Sequence, residues 1–200
     1  SGLLLLHVMA LLGVVYIAVY GISLLEFSFH FVAYLLGGLG ITALYHRAWA
    51  HKAVNFPRAI EYILVVCATF VLQMPARQWI SSHIKHHDHT DDDDDPYNIQ
   101  RGFWWAHFEW IVLAPLPPIE LPDRLANNPV IHWQHNYYWP IFVALNGILP
   151  IGIAIAAGAP WWGGLLVSAL RVIITCHIVF AVNSICHYWG TRPYTTDVSA

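Results

Sequence analysis

Residues 3–25 read LLLLHVMALLGVVYIAVYGISLL and contain no charged side chain. A helix needs about twenty apolar residues to cross the roughly 30 Å hydrocarbon core of a bilayer. This run meets that length, and it lacks the basic start and the small-residue cleavage site of a secretory signal peptide. We therefore predict that it forms a first transmembrane helix.

The composition of the whole chain also favours a membrane protein. Charged residues make up 10% of its 200 residues, against about a quarter in soluble globular domains. Three further apolar segments are long enough to cross, and we place the four spans at about residues 3–25, 27–45, 139–158 and 163–186. The sequence thus predicts an all-α membrane protein with four transmembrane helices in two hairpins.

Basic residues indicate which side of the membrane the rest of the chain occupies. Most of them fall between the second and third spans, and the two short hairpin turns contain none. By the positive-inside rule, the central segment and the C-terminus face the cytoplasm. We expect one integral-membrane domain over residues 1–200, with a cytosolic helical cap at residues 46–138 and 187–200.

A further apolar stretch at residues 59–74 competes as a fifth span. At 1.5 Å per residue it reaches only about 24 Å, and it contains Glu61. A crossing here would also place the histidines before and after it on opposite sides of the membrane. We predict a helix that lies in the interface or packs under the cap.

Six of the thirteen histidines cluster where the predicted spans meet the cap. His46 and His51 form HRAWAH, His83, His86 and His87 form HIKHH, and His187 ends NSICH. Helical residues three or four apart share a face, so the HIKHH imidazoles can reach one centre. His46 and His51 are five apart, a spacing that favours a helix end or two neighbouring metals over a single-metal chelate.

The number of histidines bears on the kind of metal site, which we expect the cap to hold. Imidazole ligates zinc, iron, copper and nickel, so ligand type alone does not select the metal. Catalytic zinc uses three protein ligands plus water, so six histidines favour two metals. Metal-bound histidines usually donate their second N–H to a carboxylate, and we expect one or two of Asp88 and residues 91–95 to accept it. His7, His30 and His177 are interpreted as ordinary interfacial residues.

Together, HRAWAH, HIKHH followed by TDDDDDPYNIQRGFWWAH, and NSICHYWGTRPY resemble the membrane-bound fatty acyl desaturases of the stearoyl-CoA desaturase type, particularly bacterial delta-9 forms. The resemblance runs from Tyr34 to Tyr194. It implies a diiron centre of two iron ions that uses O2 as co-substrate to insert a cis double bond into a saturated acyl chain. It also implies a multi-pass protein of the bacterial inner membrane, with its active site on the cytoplasmic side.

The resemblance assigns roles to individual residues. It implies that the iron ligands are His46, His51, His83, His86, His87 and His187. The resemblance also implies that Asn183 contacts an iron through a water molecule, and that Gln73 and Trp79 lie at the bend of an acyl tunnel. Tyr34 falls near the closed end of that tunnel, and Gly38, one turn on, faces the same way, so bulk at Gly38 is expected to shorten the accepted chain. Ordinary packing is the alternative for Tyr34 and Trp79.

The sequence departs from the family pattern at two places. The family has a further HxxHH box, whereas this chain stops at Ala200, before the box is expected; we expect the box to lie downstream in a longer chain. His132 and His135 precede the third span and do not supply it. Ser81 and Ser82 stand where animal relatives carry Arg-Asp, which leaves acyl-CoA, acyl carrier protein and lipid-linked substrates open.

The electrons for such a reaction must come from outside, because the chain has no GxGxxG or other nucleotide fingerprint. The resemblance implies a carrier of the ferredoxin, rubredoxin or cytochrome b5 type with its reductase, alongside the fatty acyl substrate and membrane lipid. Nothing points to nucleic acid. A related diiron hydroxylase, a membrane zinc hydrolase with Glu109 as general base, and a non-catalytic homologue stay open as alternatives. Arg171, inside the fourth span, indicates a polar cavity, bound lipid or an interhelical contact.

Overall fold

The computed structural model describes residues 2–190, and every regular element in that range is helical. The elements are α1 (Gly2–Tyr20), α2 (Leu24–Leu39) with a first π-helix (Gly40–Ala50), α3 (Arg58–Ala68), α4 (Ala76–Asp88), a 3₁₀ turn (Ile99–Arg101), a second π-helix (Trp105–Glu109) with α5 (Trp110–Leu113), α6 (Asp123–Ala126), α7 (Pro129–Val143), a third π-helix (Ala144–Ile148), α8 (Leu149–Ala156) and α9 (Trp161–Tyr188). The all-α prediction is confirmed.

Four continuous helices within the described range are long and apolar enough to cross a membrane. They cover Gly2–Tyr20, Leu24–Ala50, Pro129–Ala156 and Trp161–Tyr188. A short turn joins the first to the second and another joins the third to the fourth, as expected for two hairpins. Apolar side chains cover the outer surfaces of these helices, including Leu4, Phe31 and Trp161, which are more than half exposed.

The helix bounds differ from the predicted spans. The first helix ends at Tyr20 rather than near residue 25, because Gly21 turns the chain at a φ of 77°. A capping box then starts α2: Ser23 Oγ accepts from Glu26 N at 3.1 Å, and Ser23 N donates to Glu26 Oε2 at 3.1 Å.

The other three helices are longer than predicted. The third begins at Pro129, because the Asn128 side chain caps it and a proline suits the first helical position. Hydropathy predicts only the apolar part of a helix. It therefore does not detect the polar turns by which the same helix continues into the cap. Residues 191–200 of the predicted cap lie outside the described residues.

α9 is the central helix of the bundle, since α1 and α8 both pack against it. A Cβ at Gly13 of α1 would lie 2.6 Å from Leu166 O, and one at Gly164 would lie 2.3 Å from Pro150 O. Small residues allow such close backbone approach between membrane helices. These contacts hold the N-terminal part of α9 against α1 and α8, and the same helix carries NSICH at its other end.

The stretch that competed as a fifth span folds as α3, which is only 11 residues long and is not among the four candidate spans. It packs in a cluster of buried residues with the first π-helix, α4 and α7; the cluster includes Leu44, Val65, Ile80 and Ile131. The finding agrees with the prediction that this stretch does not cross the membrane, and its position in the interface or under the cap stays a prediction. This cluster holds the two elements that carry HRAWAH and HIKHH against each other.

Arg171 makes an interhelical contact, one of the alternatives considered above. Its guanidinium is buried and donates to Phe70 O at 2.6 Å and to Asn146 Oδ1 at 2.6 Å. The charge therefore links the last span to the preceding one and to the segment that follows α3.

The backbones of the first π-helix and α3 touch at Gly40. A Cβ there would lie 2.3 Å from Ala68 N and 2.6 Å from Leu64 O. Because backbone atoms cannot rotate aside, Gly40→Ala should push α3 away from the helix that carries HRAWAH. We expect a destabilisation of about 1–3 kcal/mol, seen as a lower midpoint of thermal unfolding in detergent.

Gly38→Ala is the matched control for this prediction. A Cβ at Gly38 would meet no atom within 4 Å, and alanine has the better helix propensity by about 1 kcal/mol. Gly38→Ala should therefore leave the midpoint unchanged or raise it. Equal midpoints for the two variants would contradict the close packing at Gly40.

Candidate metal centre and adjoining cavity

The first π-helix brings the two histidines of HRAWAH together. In a π-helix the backbone N–H bonds to the carbonyl five residues earlier, and His51 N donates to His46 O at 2.9 Å. Residues five apart therefore lie one above the other, and the two imidazole rings are 4.4 Å apart between centroids. His51 is also the C-cap residue of this helix, in agreement with the helix end that the five-residue spacing predicts.

α4 presents the HIKHH motif to the same place. The ligand nitrogens of His46, His51, His83 and His87 all lie within 4.8 Å of one another. His83 Nε2 is central, at 3.0 Å from His51 Nε2 and 3.2 Å from His87 Nε2. We call these four side chains the histidine set.

A second group lies beside the histidine set. The His86 ring is 5.0 Å from the His187 ring and 5.3 Å from the His87 ring. The ends of α9 and α4 therefore meet, and all six motif histidines lie at one end of the bundle. This agrees with the predicted placement of the motifs on one side of the membrane.

Asp95 is the aspartate that forms a hydrogen bond with a histidine of the site. It is 2% exposed, and its Oδ1 lies 2.8 Å from His86 Nδ1. Asp95 also accepts from Tyr97 N and Asp91 N, each at 3.1 Å. Because Nδ1 of His86 donates to this carboxylate, Nε2 is left with a lone pair. By contrast, Asp92 and its partner His89 lie on the surface, as expected for a solvated loop.

Burial favours the neutral form of two members of the histidine set, His83 and His87. It lowers the pKa of His83 to about 2 and that of His87 to about 4, with neighbouring imidazoles adding to the effect. Both side chains are therefore neutral near pH 7, and neutral imidazole is the form that binds metals.

A cavity of about 300 Å³ begins at the histidine set. Its polar end is lined by His83 and Asn183, and its walls are mostly apolar, formed by residues such as Leu72, Ile111, Leu116, Val179 and Phe180. The Trp79 ring stacks on His83 with 4.6 Å between centroids and an angle of 18°. The site thus joins a group of metal-binding side chains to a narrow apolar space.

The structure brings some of the predicted substrate residues to this cavity and not others. Gln73 and Trp79 line it, together with Asn183. Tyr34 and Gly38 are not among its lining residues, so their tunnel role stays a prediction that this cavity does not support. Val179 and Phe180 line the cavity but were missed, because apolar residues in an apolar helix give no separate signal.

Three other candidates lie apart from the site. Ser81 Oγ donates to Pro118 O at 3.2 Å and accepts from Glu120 N at 2.8 Å, so it anchors the proline-rich loop. His132 is exposed and bonds to Ala126 O at 2.7 Å, consistent with its exclusion from the third box. Glu109, the proposed general base of a hydrolase, neither lines the cavity nor belongs to the histidine set in the described part of the chain.

Comparison with known proteins adds an independent finding. A family model described as fatty acid desaturase matches residues 22–200. A probable acyl-CoA desaturase of Schizosaccharomyces pombe is 32% identical, over 98% of this chain and 43% of its own length. Delta-9 acyl-lipid desaturase 2 of Arabidopsis thaliana is 36% identical, over 84% and 54%, respectively. An sn-1 stearoyl-lipid 9-desaturase of Anabaena variabilis is 32% identical, over 80% and 58%. The chain spans about half of the length of these curated relatives.

Proposed function

We propose a function from the finding that this integral membrane chain belongs to the fatty acid desaturase family. The chain carries the metal centre of an O2-dependent oxidoreductase that desaturates a saturated fatty acyl chain. The observation that carries the proposal is the histidine set, with its ligand nitrogens within 4.8 Å of one another, at the mouth of the apolar cavity. Neither feature alone would specify the reaction, since metal sites and apolar cavities both serve many functions.

We propose two irons held by two groups of residues. The histidine set would hold one, and His86, His187 and Asn183 would contribute to the other. The donors fit this role, since imidazole suits iron and Asp95 orients His86 as supporting carboxylates do. The second group has fewer nitrogens, and we propose that a downstream histidine box completes it, consistent with the greater length of the relatives.

The chemistry that two bound irons supply is the reductive activation of O2 needed to remove hydrogen from an unactivated methylene. The residues of this chain bind and orient the acyl chain. The apolar walls exclude water, and Trp79 fixes the mouth of the cavity by stacking on His83. Gln73 is buried and lines the cavity, and its Nε2 has no hydrogen-bond partner in the described part of the chain, so it can donate to a polar group of the substrate.

The substrate and partners follow from the relatives and the sequence. Some relatives are named for acyl-CoA and others for acyl lipids, so the substrate is a fatty acyl chain on CoA or on a lipid. Two electrons come from a ferredoxin, rubredoxin or cytochrome b5 type carrier. The concentration of basic residues in the cap supports an active site on the cytoplasmic side of the membrane, which we propose to be a bacterial inner membrane.

Metal and product analysis test the proposal together. The natural full-length protein, purified in detergent, should contain two irons per chain, and cells that express it should gain a cis-unsaturated fatty acid. One zinc per chain would favour the hydrolase, and oxygenated products would favour the hydroxylase. A protein without metal and without product would be the non-catalytic homologue.

Asp95→Asn is expected to weaken metal binding by about ten- to a hundredfold, the usual effect of losing a supporting carboxylate. The amide cannot offer His86 a negative charge, so the ligand nitrogen of His86 becomes a weaker donor. Retained metal during dialysis against a graded series of chelator concentrations measures the change.

Asp93→Asn provides the matched control for Asp95→Asn. Asp93 lies in the same loop but is exposed and belongs to neither group of possible metal ligands in the described part of the chain, so its loss should not affect metal retention. Equal retention by both variants would show that Asp95 has no role in the centre.

A further inference from the structure

Three histidines that the proposed centre does not use are joined in one continuous chain of contacts. His7 Nδ1 lies 2.7 Å from Leu3 O, and His7 Nε2 lies 3.0 Å from His177 Nε2. His177 Nδ1 in turn lies 3.0 Å from His107 Nε2. The chain crosses from α1 to α9 and on to the second π-helix, although the residues are far apart in sequence.

Ser184 forms the other end of this histidine chain. His107 Nδ1 lies 2.8 Å from Ser184 Oγ, which lies 3.0 Å from Phe180 O. Ser184 is fully buried and precedes His187 by three residues, so the two side chains lie on one face of α9, one turn apart. The histidine chain therefore ends one helical turn from His187, a proposed metal ligand.

A count of protons shows that the histidine chain can accept one proton more than its neutral side chains carry. Five contacts link the four side chains to one another and to two backbone carbonyls. A neutral imidazole and a hydroxyl each carry a single donated proton, so four protons serve five contacts. One contact is left without a proton whichever tautomers are adopted.

Burial keeps His107 neutral, since it lowers the pKa of this side chain. The unfilled contact can therefore lie at the His7 end, with each side chain donating toward Ser184. An incoming proton at His7 Nδ1 fills that contact. Transfer along each imidazole in turn then passes a proton to Ser184, because histidine accepts at one nitrogen and donates from the other. The hydroxyl proton that Ser184 gives up in exchange is consumed when O2 is reduced to water.

We propose that His7, His177, His107 and Ser184 form a proton relay to the metal centre. The relay deepens the proposed function and rests on it, because desaturation consumes protons. One CH2–CH2 unit, O2, two electrons from the external carrier and two protons give one CH=CH unit and two molecules of water. The two C–H bonds and the O–O bond break, the four O–H bonds of the two waters form, the substrate is oxidised, and O2 is reduced.

The first test measures the relay without any metal or turnover. Metal-free full-length protein with ¹⁵N-labelled histidine is compared with its Ser184→Ala variant by NMR, and the three resonances are assigned through single substitutions. A coupled relay predicts that the imidazole ¹⁵N shifts of all three histidines change in Ser184→Ala. A change confined to His107 would overturn the proposal, because the tautomers would then be fixed independently.

The second test measures turnover in the full-length enzyme with its electron donor. His177→Gln keeps a donor and an acceptor but cannot pass a proton. It should lower kcat at least about tenfold, below the usual range of general acid–base effects, and raise the solvent deuterium isotope effect. KM, iron content and the unfolding midpoint should match the wild type, and the exposed His132→Gln should change none of these.

Two outcomes of these measurements would overturn the relay. If kcat falls only in proportion to the loss of iron and of folded protein, the histidine chain only stabilises the fold. If metal-free protein takes up an additional Zn²⁺ that His177→Gln fails to bind, the three histidines are a metal site. A wild-type enzyme that forms no alkene would refute the desaturase proposal instead, and the NMR comparison would still decide the question of coupled tautomers.

Discussion

Replacing His83 by alanine is expected to abolish desaturation and lower metal affinity more than about a hundredfold, beyond the effect of losing a supporting group. His83 is the central member of the histidine set, with its Nε2 3.0 Å from His51 Nε2 and 3.2 Å from His87 Nε2. Its loss removes one ligand and leaves a gap between the others. Metal per chain and unsaturated product per cell are the two measurements.

His132→Ala is the matched control, since His132 is exposed and lies outside the set. It should keep both metal and product at the level of the wild type. The thermal unfolding midpoint of His83→Ala, compared with that of metal-free wild type, separates the loss of a ligand from misfolding. A folded His83→Ala protein with two irons per chain would refute the proposed centre.

Val179→Trp is expected to close the apolar cavity and exclude long acyl chains. Val179 lines the cavity on α9, one turn from Asn183. An indole there occupies much of the space of about 300 Å³. A steric cost of about 1–3 kcal/mol corresponds to a loss of about five- to 150-fold in kcat/KM for long-chain substrates, with smaller losses for shorter chains.

Val182→Trp makes the same change on the same helix but faces outward, since Val182 is 54% exposed. It should leave both the rate and the preferred chain length unchanged. Metal content should be the same in both variants, because neither side chain is a ligand. If Gly38→Trp shortens the accepted chain and Val179→Trp does not, the acyl chain follows the route predicted from the family resemblance instead of this cavity.

The spans and the histidine motifs could be predicted from sequence because each has a local signal. A bilayer demands a long apolar run, and the clustered histidines stand out in a chain with few polar residues. The short apolar stretch was also correctly predicted not to be a spanning helix, since its length and its effect on the sidedness of the histidines both argued against a crossing.

The features that the sequence did not reveal depend on backbone geometry or on distant contacts. The π-helix that aligns His46 with His51 has no distinctive residue pattern, so the five-residue spacing predicted a helix end at His51 but not that both side chains belong to one group of possible ligands. Asp95 could not be chosen among its neighbours because only burial distinguishes it. His7 and His177 were interpreted separately, since nothing in the sequence shows that α1 and α9 bring them within 3.0 Å of each other.

Arg171 has a consequence for how the protein is inserted into the membrane. A charged side chain at the centre of a helix adds about 2.5–3.5 kcal/mol to the free energy of insertion. Its two short hydrogen bonds go to the Asn146 side chain of the preceding span and to the Phe70 carbonyl, whereas its contact within α9, to Ser168 Oγ, is longer at 3.4 Å. Most of the cost is therefore offset only when the preceding span lies beside α9, and a single cation couples the assembly of the second hairpin to the docking of the segment that follows α3.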